Sequence, residues 1–221
     1  GRMLEDGHIP AQEAAEARAE VLQVRRRPES ETVSADFFAE EVRRQILAQY
    51  GETTLYEGGL AVRTTLDSEI QPVIDQALRN GLVAYDRRHG WRGPMEKLAT
   101  LDNWKAALAA LEAARPPLGQ PAWRLAVVLK VDADRVGLGF SSGAEGALPF
   151  AEMLWARPTL EDQRVGPVPR RPADVVAVGD VIVVEPVLVD AKKQECPENT
   201  FALRQIPNVE GGAVVLDPHT G

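Results

Sequence analysis

Two zones of different periodicity predict a mainly β chain with flanking α-helices. Up to about residue 114 the apolar residues recur at helical spacing. From about 122 to 206 they fall in short runs broken by Gly, Pro and Asp, the signature of strands joined by turns. Five such runs, with a small helix after the third, fit a five-stranded barrel of the OB type.

Each element has its own signal. Residues 11–24 are rich in Ala and Glu and follow Pro10, a tolerated helix-start residue, which predicts a helix closed by Arg25-Arg26-Arg27-Pro28. The basic triplet reads as a helix C-terminus complementing the dipole before a proline stop, rather than as a nucleic-acid or membrane patch. Ser34 is the expected N-cap of a second helix carrying Phe38, Val42, Ile46 and Tyr50, with Gly51 ending it. A β-rich stretch, Gly58 to Leu66, follows a turn. Asp67 or Ser68 is then expected to cap a third helix. Its Ile70, Val73, Ile74, Ala77, Leu78, Leu82 and Tyr85 form a stripe that must be buried against some partner, and none is obvious within the chain. A shorter helix around 101–114 places Leu101, Trp104, Leu108 and Leu111 on one face before Pro116-Pro117.

The strands follow. Residues 122–131 pair back through the Asp132-Ala133-Asp134 turn onto 135–140, and Ala147 to Phe150 pairs briefly after a second turn. A short helix is expected over Phe150 to Trp155. Residues 157–178, with Pro158, Pro167, Pro169 and Pro172, read as a long loop. Strands return at 181–189 and 200–206. Gly211 to Gly221 reads as a buried strand running into a turn, with no partner strand after it, and both ends of the chain look like cuts.

Composition limits the functions. The chain has 221 residues, 44% hydrophobic and 26% charged, enough for a globular core. No apolar run approaches the roughly 18 residues of a membrane span, and the start lacks the pattern of a signal peptide. A net charge of −8 opposes duplex nucleic acid. Residues 95–206 carry 13 Lys and Arg against 15 Asp and Glu, without the aromatic interleaving of a single-strand platform. A freestanding OB-fold nucleic-acid-binding module is therefore the alternative reading, not the leading one. The single Cys196 excludes an internal disulfide, and His8, His89 and His219 show no ligand spacing, so neither a metal nor a cofactor is expected.

Catalytic candidates fare no better. Gly139-Phe140-Ser141-Ser142-Gly143 matches the G-x-S-x-G nucleophile elbow, which requires a strand passing sharply into a helix. The residues after it are Gly-rich and β-like, so a tight hairpin is expected in place of a hydrolase built on Ser141. Asp132 and Asp134 are expected to form a turn instead of an acid–base pair. Glu185 sits in an apolar strand but beside Pro186, which suggests a bulge or edge where its carboxylate meets water. Trp91, Trp104, Trp123 and Trp155 are expected to pack. No catalytic residue is assigned. Arg164, Arg170 and Arg171 on the proline-rich loop are the candidate partner-binding residues, because guanidinium forks grip carboxylates in pairs of hydrogen bonds.

Several stretches carry a resemblance. Arg2-Met3-Leu4-Glu5-Asp6-Gly7-His8-Ile9 resembles the end of the glycosyltransferase domain of class A penicillin-binding proteins. Phe37 to Arg43 and Gly59 to Asp67 resemble the linker after it. Ala84 to Pro94 resembles the stretch ahead of the family's inserted domain, and Leu203-Arg204-Gln205-Ile206-Pro207 with Gly212 to Gly221 resembles the opening strand and turn of the transpeptidase domain. The resemblance implies four regions: 1–33, the end of the glycosyltransferase domain and a linker helix; 34–94, the interdomain linker and start of the transpeptidase domain; 95–206, the OB-like docking insert; and 207–221, the first strand and turn of the transpeptidase domain. It implies a non-catalytic spacer of a bifunctional peptidoglycan synthase, since the family's catalytic motifs fall outside residues 1–221. The implied partners are an envelope regulatory protein or peptidoglycan, and the glycosyltransferase and transpeptidase domains of the parent. The implied site is the periplasmic face of the bacterial inner membrane, reached only through the parent's N-terminal anchor.

Overall fold

The computed structural model describes residues 2–19, 33–114, 120, 122–189 and 193–219. They fall into two compact units, Gly1–Ser68 and Glu69–Gly221.

The first unit is helical: α1 (Arg2–Glu5), α2 (Ala11–Ala19), α3 (Asp36–Tyr50) and α4 (Glu52–Glu57). The expected helix over 11–24 is described only to Ala19, and its Arg25–Pro28 ending lies outside the described residues. Ser34 is not the N-cap of α3. Ala35 holds that position with no side-chain cap, because the helix begins at Asp36, one residue too far on for Ser34 to reach its first free N–H groups. Gly51 does end α3, at φ +80°, but the chain resumes at once as the unexpected α4. Arg43 of α3 ties the two helices by donating to the Tyr56 hydroxyl at 3.2 Å. The stretch Gly58 to Leu66 is not a strand: it carries no ladder, and Leu60 and Val62 stay exposed. β-propensity needs a neighbouring edge to act on, and this segment meets none among the described residues.

The second unit is the barrel and its attachments. α5 (Ile70–Arg88) has Glu69 at its N-cap position, one residue on from the expected Ser68. Then come the two-residue strand β1 (Glu96–Lys97) and α6 (Trp104–Ala114), described to Ala114, so the Pro116-Pro117 stop falls outside the described residues. The five expected strands follow as β2 (Arg124–Val131), β3 (Arg135–Gly139), β4 (Glu145–Pro149), β5 (Asp180–Pro186) and β6 (Phe201–Arg204). β2 pairs antiparallel with β3 and β5, β3 with β4, and β5 with β6. The ring closes through one parallel bridge, Ala147 to Thr200, with the Ala147 N–H donating to the Asn199 carbonyl at 2.9 Å. That order, with the third and fifth long strands meeting in parallel, is a partly open OB-type barrel. A 3-10 turn, Phe150–Met153, follows β4 where the small helix was expected.

β2 and β5 read as unbroken apolar runs because both of their faces are covered. Ala126, Val128, Ile182 and Val184 point into the barrel with Leu138, Leu148 and Leu203. Leu125, Val127, Val181 and Val183 point outward, under Leu108 of α6. Leu108, Leu101, Trp104 and Leu111 do form one packed face, as their spacing predicts.

The loop 157–178 is ordered by contact. Trp91 bridges Pro158, the Gly166 N–H donates to the Pro158 carbonyl, and Val175 and Val176 enter the barrel core. The expected buried strand is absent from the described part of 211–221. Residues 211–217 have no regular structure, and Val214, Val215 and Leu216 are 83%, 61% and 68% exposed. No strand pairs with them among the described residues.

Candidate functional site

The three arginines proposed as a docking set lie on two separate turns of the 157–178 loop. All are exposed. Arg164 folds over its own turn, its Nε donating to the Glu161 carbonyl at 3.3 Å. Arg171 pairs with Asp174 at 3.0 Å, while the Arg170 and Arg171 backbone N–H groups donate to the same carboxylate. Those bonds, the Arg170 N–H first and the Arg171 guanidinium second, hold the Asp174 carboxyl below its ordinary range. Two of the three guanidiniums, those of Arg164 and Arg171, thus already make a bond within the loop.

A second constellation was not singled out from the sequence. Asp86, in the last turn of α5, is only 3% exposed. Its Oδ1 accepts from Arg92 Nη1 at 2.7 Å and from the Asn208 N–H at 3.1 Å, and its Oδ2 accepts from Gln205 Nε2 at 2.8 Å. Gln205 Oε1 in turn accepts the Arg92 N–H at 2.8 Å, and Arg92 Nη2 donates to the Ile206 carbonyl at 2.7 Å. Burial pushes this carboxyl up, but the bonds from Arg92, Gln205 and Asn208 outweigh it and hold it below the usual value. The network is a collar. It fastens the segment leading into the barrel (Gly90 to Arg92) and the segment leaving it (Gln205 to Asn208) to one helix end. Both segments belong to the stretches that resemble known proteins, a signal that was visible without showing that they meet.

The remaining candidates resolve into structure. Ser141 lies on the turn between β3 and β4 and donates to Glu112 Oε2 at 2.6 Å, with no strand-to-helix elbow. Gly143 supplies the turn's φ of +86°, and a Cβ on Gly139 would sit 2.5 Å from the Trp104 ring, so both motif glycines serve packing and turning. Asp132 and Asp134 pair with Lys130 and Arg135 at the hairpin tip. Glu185 accepts from Arg204 Nε at 2.6 Å, its side chain part-exposed as Pro186 suggested. All four tryptophans pack: Trp91 against Trp155 in the barrel cluster, and Trp104 and Trp123 in the α6 cluster. Cys196 is half-buried. Among the described residues no group of three or more His, Cys, Asp and Glu side chains is arranged for a metal, and no helix is long and apolar enough to cross a membrane.

Comparison with known proteins places this geometry. Residues 91–209 match the family model of the penicillin-binding protein OB-like domain. Over its whole length the chain is similar to penicillin-binding protein 1A of Rickettsia typhi (36% identity), Pseudomonas aeruginosa (34%) and Escherichia coli (31%). It spans about a quarter of the length of each (25%). Among solved structures, penicillin-binding protein 1A from Haemophilus influenzae superposes with a TM-score of 0.52 at 27% identity, covering 93% of this chain and 27% of that one. The matched region opens at Trp91 and closes at Val209, the two segments that the Asp86 collar clasps.

Proposed function

The chain belongs to the penicillin-binding protein 1A family, and from that premise we propose that it is the non-catalytic interaction and spacer segment of a bifunctional peptidoglycan synthase. The parent would polymerise lipid II into glycan strands and cross-link stem peptides through an acyl-serine, the group that penicillin traps. It would do so at the periplasmic face of the inner membrane, held there by its own N-terminal anchor. The observation that carries the spacer reading is the collar. A barrel whose two connecting segments are fixed to one buried carboxylate is held in a set relation to α5, as a spacer must be.

The barrel supports this reading over the nucleic-acid one. Its tryptophans are spent on packing, which leaves no row of exposed rings for bases to stack on. The interaction role falls to the 157–178 loop, where Arg164 and Arg170 present guanidiniums toward solvent for carboxylates of an envelope protein or of peptidoglycan stem peptides.

The test is made in the full-length parent. Residues 95–206 are replaced by a short Gly/Ser linker, and labelling by a fluorescent penicillin confirms that the acylation site still folds. Coupled polymerisation and cross-linking of lipid II should then fall. Unchanged coupled synthesis would overturn the spacer role. Replacing only 160–172 should leave synthesis by the isolated enzyme intact and reduce its pull-down of envelope proteins or its sedimentation with peptidoglycan. If neither binding changes, the loop is not the docking surface.

A further inference from the structure

Two arginines converge on a single backbone oxygen beside α5. Arg87 Nη2 donates to the Leu203 carbonyl at 3.2 Å, and Arg204 Nη1 donates to the same oxygen at 3.0 Å. Cations this close repel, and the repulsion grows where water is scarce. Only one of them is in contact with an anion among the described residues: Arg204 holds Glu185 at 2.6 Å. Arg87 lies instead on the Trp155 ring, 4.5 Å from its centroid, and its Nε is buried with no hydrogen-bond partner. Burial first, and the charge of Arg204 second, draw Arg87 down to about 10, against the weaker pull of Glu152 and Glu185. It is still a cation at neutral pH, one whose surroundings leave a donor unused.

Arg87, Arg204 and Glu185 line a cleft of about 470 Å³, a size that suits a small-molecule or peptide-end ligand. Gln76, Asn80 and Val83 line it from α5, and Trp123 from just ahead of β2. This is the polar face of α5, turned away from the Ile70–Tyr85 stripe. The Gln76 amide donates to Asn80 Oδ1 at 2.8 Å, leaving the Asn80 amide N–H groups available to a further acceptor.

We propose that this cleft is a carboxylate-binding site, whose ligand is the carboxylate end of a short peptide gripped between the Arg87 and Arg204 guanidiniums. The charge balance selects a monoanion. Among its lining side chains two arginines stand against Glu185, with Glu152 acting on Arg87 from outside the lining, a balance that admits a carboxylate and opposes a phosphate dianion. The apolar sides of Trp123 and Val83 would take the residue next to the carboxylate, while its amide reaches Gln76 and Asn80. The site is built from this chain's own residues and stands apart from the spacer reading.

The test titrates the 221-residue chain with an N-acetyl dipeptide bearing a free C-terminal carboxylate, and with the same dipeptide amidated. Arginine Nε–Hε and tryptophan indole NMR signals give the readout. The free acid should shift the Arg87 and Arg204 Nε signals and the Trp123 indole, and the amide should bind at least tenfold more weakly. Arg87→Lys keeps the charge but loses the fork, and should weaken binding about tenfold. Glu185→Gln should strengthen it severalfold by freeing Arg204, an effect that a purely structural pair would not produce. Equal binding of acid and amide, weaker binding by E185Q, or no shift at tens of millimolar peptide would each overturn the proposal. The full-length parent separates two sources of the same chemistry. Binding retained there assigns the site to a free peptide end. Binding lost there, and restored when the parent's carboxylate facing the cleft is replaced, assigns it to an acidic side chain of the parent.

Discussion

At the scale of single residues, the most constrained group is Asp86. Three donors from segments more than a hundred residues apart meet its carboxylate out of contact with water. Asp86→Ala would strand the Gln205 amide, the Asn208 N–H and the Arg92 charge together, and should cost about 3 kcal/mol in urea unfolding. Asp86→Asn keeps the shape and should cost less. The folded-state carboxyl titrates below its unfolded value. Its contribution is therefore fully present above the unfolded value of about 3.9 and is lost as pH falls through the lower folded value. The acid limb of a pH–stability curve should consequently flatten in D86N relative to the wild type; superimposable limbs would show that the collar carries no charge-linked stability. Gly139 makes a different point. Read as part of a nucleophile motif, it is a packing position, where a Cβ would meet the Trp104 ring at 2.5 Å and Leu129 at 2.7 Å. Gly139→Ala should cost about 1–3 kcal/mol through overpacking and change the near-ultraviolet tryptophan dichroism, whereas Ser141→Ala should remove only the bond to Glu112.

At the scale of elements, periodicity revealed what packs locally and failed where the partner is distant. The Trp104–Leu111 face of α6 was legible, with Leu101 packed beside it just ahead of the helix, because a helical stripe and its strand partners both lie within the barrel unit. All five long strands were legible because turn residues bound each of them. Residues 58–66 and 211–217 have strand composition and form no strand, since a strand is a relation between two segments and composition reports only one. The collar was illegible for a related reason: nothing in Asp86, Arg92 or Gln205 taken singly marks a meeting across the chain. The α5 stripe is an intermediate case. Leu78 and Leu82 lie near the Gly211 backbone, yet Ile70, Val73 and Tyr85 remain 46%, 66% and 44% exposed. Leu108→Ala, beneath the α6 face, should therefore cost about 2–5 kcal/mol. Val73→Ser on the open stripe should shift the stability of this chain by no more than about 0.5 kcal/mol. A large loss from V73S, measured by thermal unfolding at matched concentration, would mean that the stripe is already covered.

At the scale of the whole molecule, the residues are committed to holding a shape. The G-x-S-x-G serine is tied to Glu112, the hairpin aspartates to their neighbouring cations, and the buried carboxylates of Asp86 and Asp180 to the collar and to the Ala177 N–H. A nucleophile needs a base within hydrogen-bond reach and a proton path. Ser141 has instead a carboxylate that accepts its hydroxyl on a turn, with no histidine among its hydrogen-bond partners. If the 221-residue chain is the spacer that its family membership supports, it should carry no acylation chemistry of its own. Incubated with a fluorescent penicillin and run on a denaturing gel, it should show no stoichiometric band, while the full-length parent in the next lane does. Ser141→Ala supplies the control: a band on the wild-type chain that S141A abolished would locate a nucleophile on the β3–β4 turn and sink the non-catalytic reading outright.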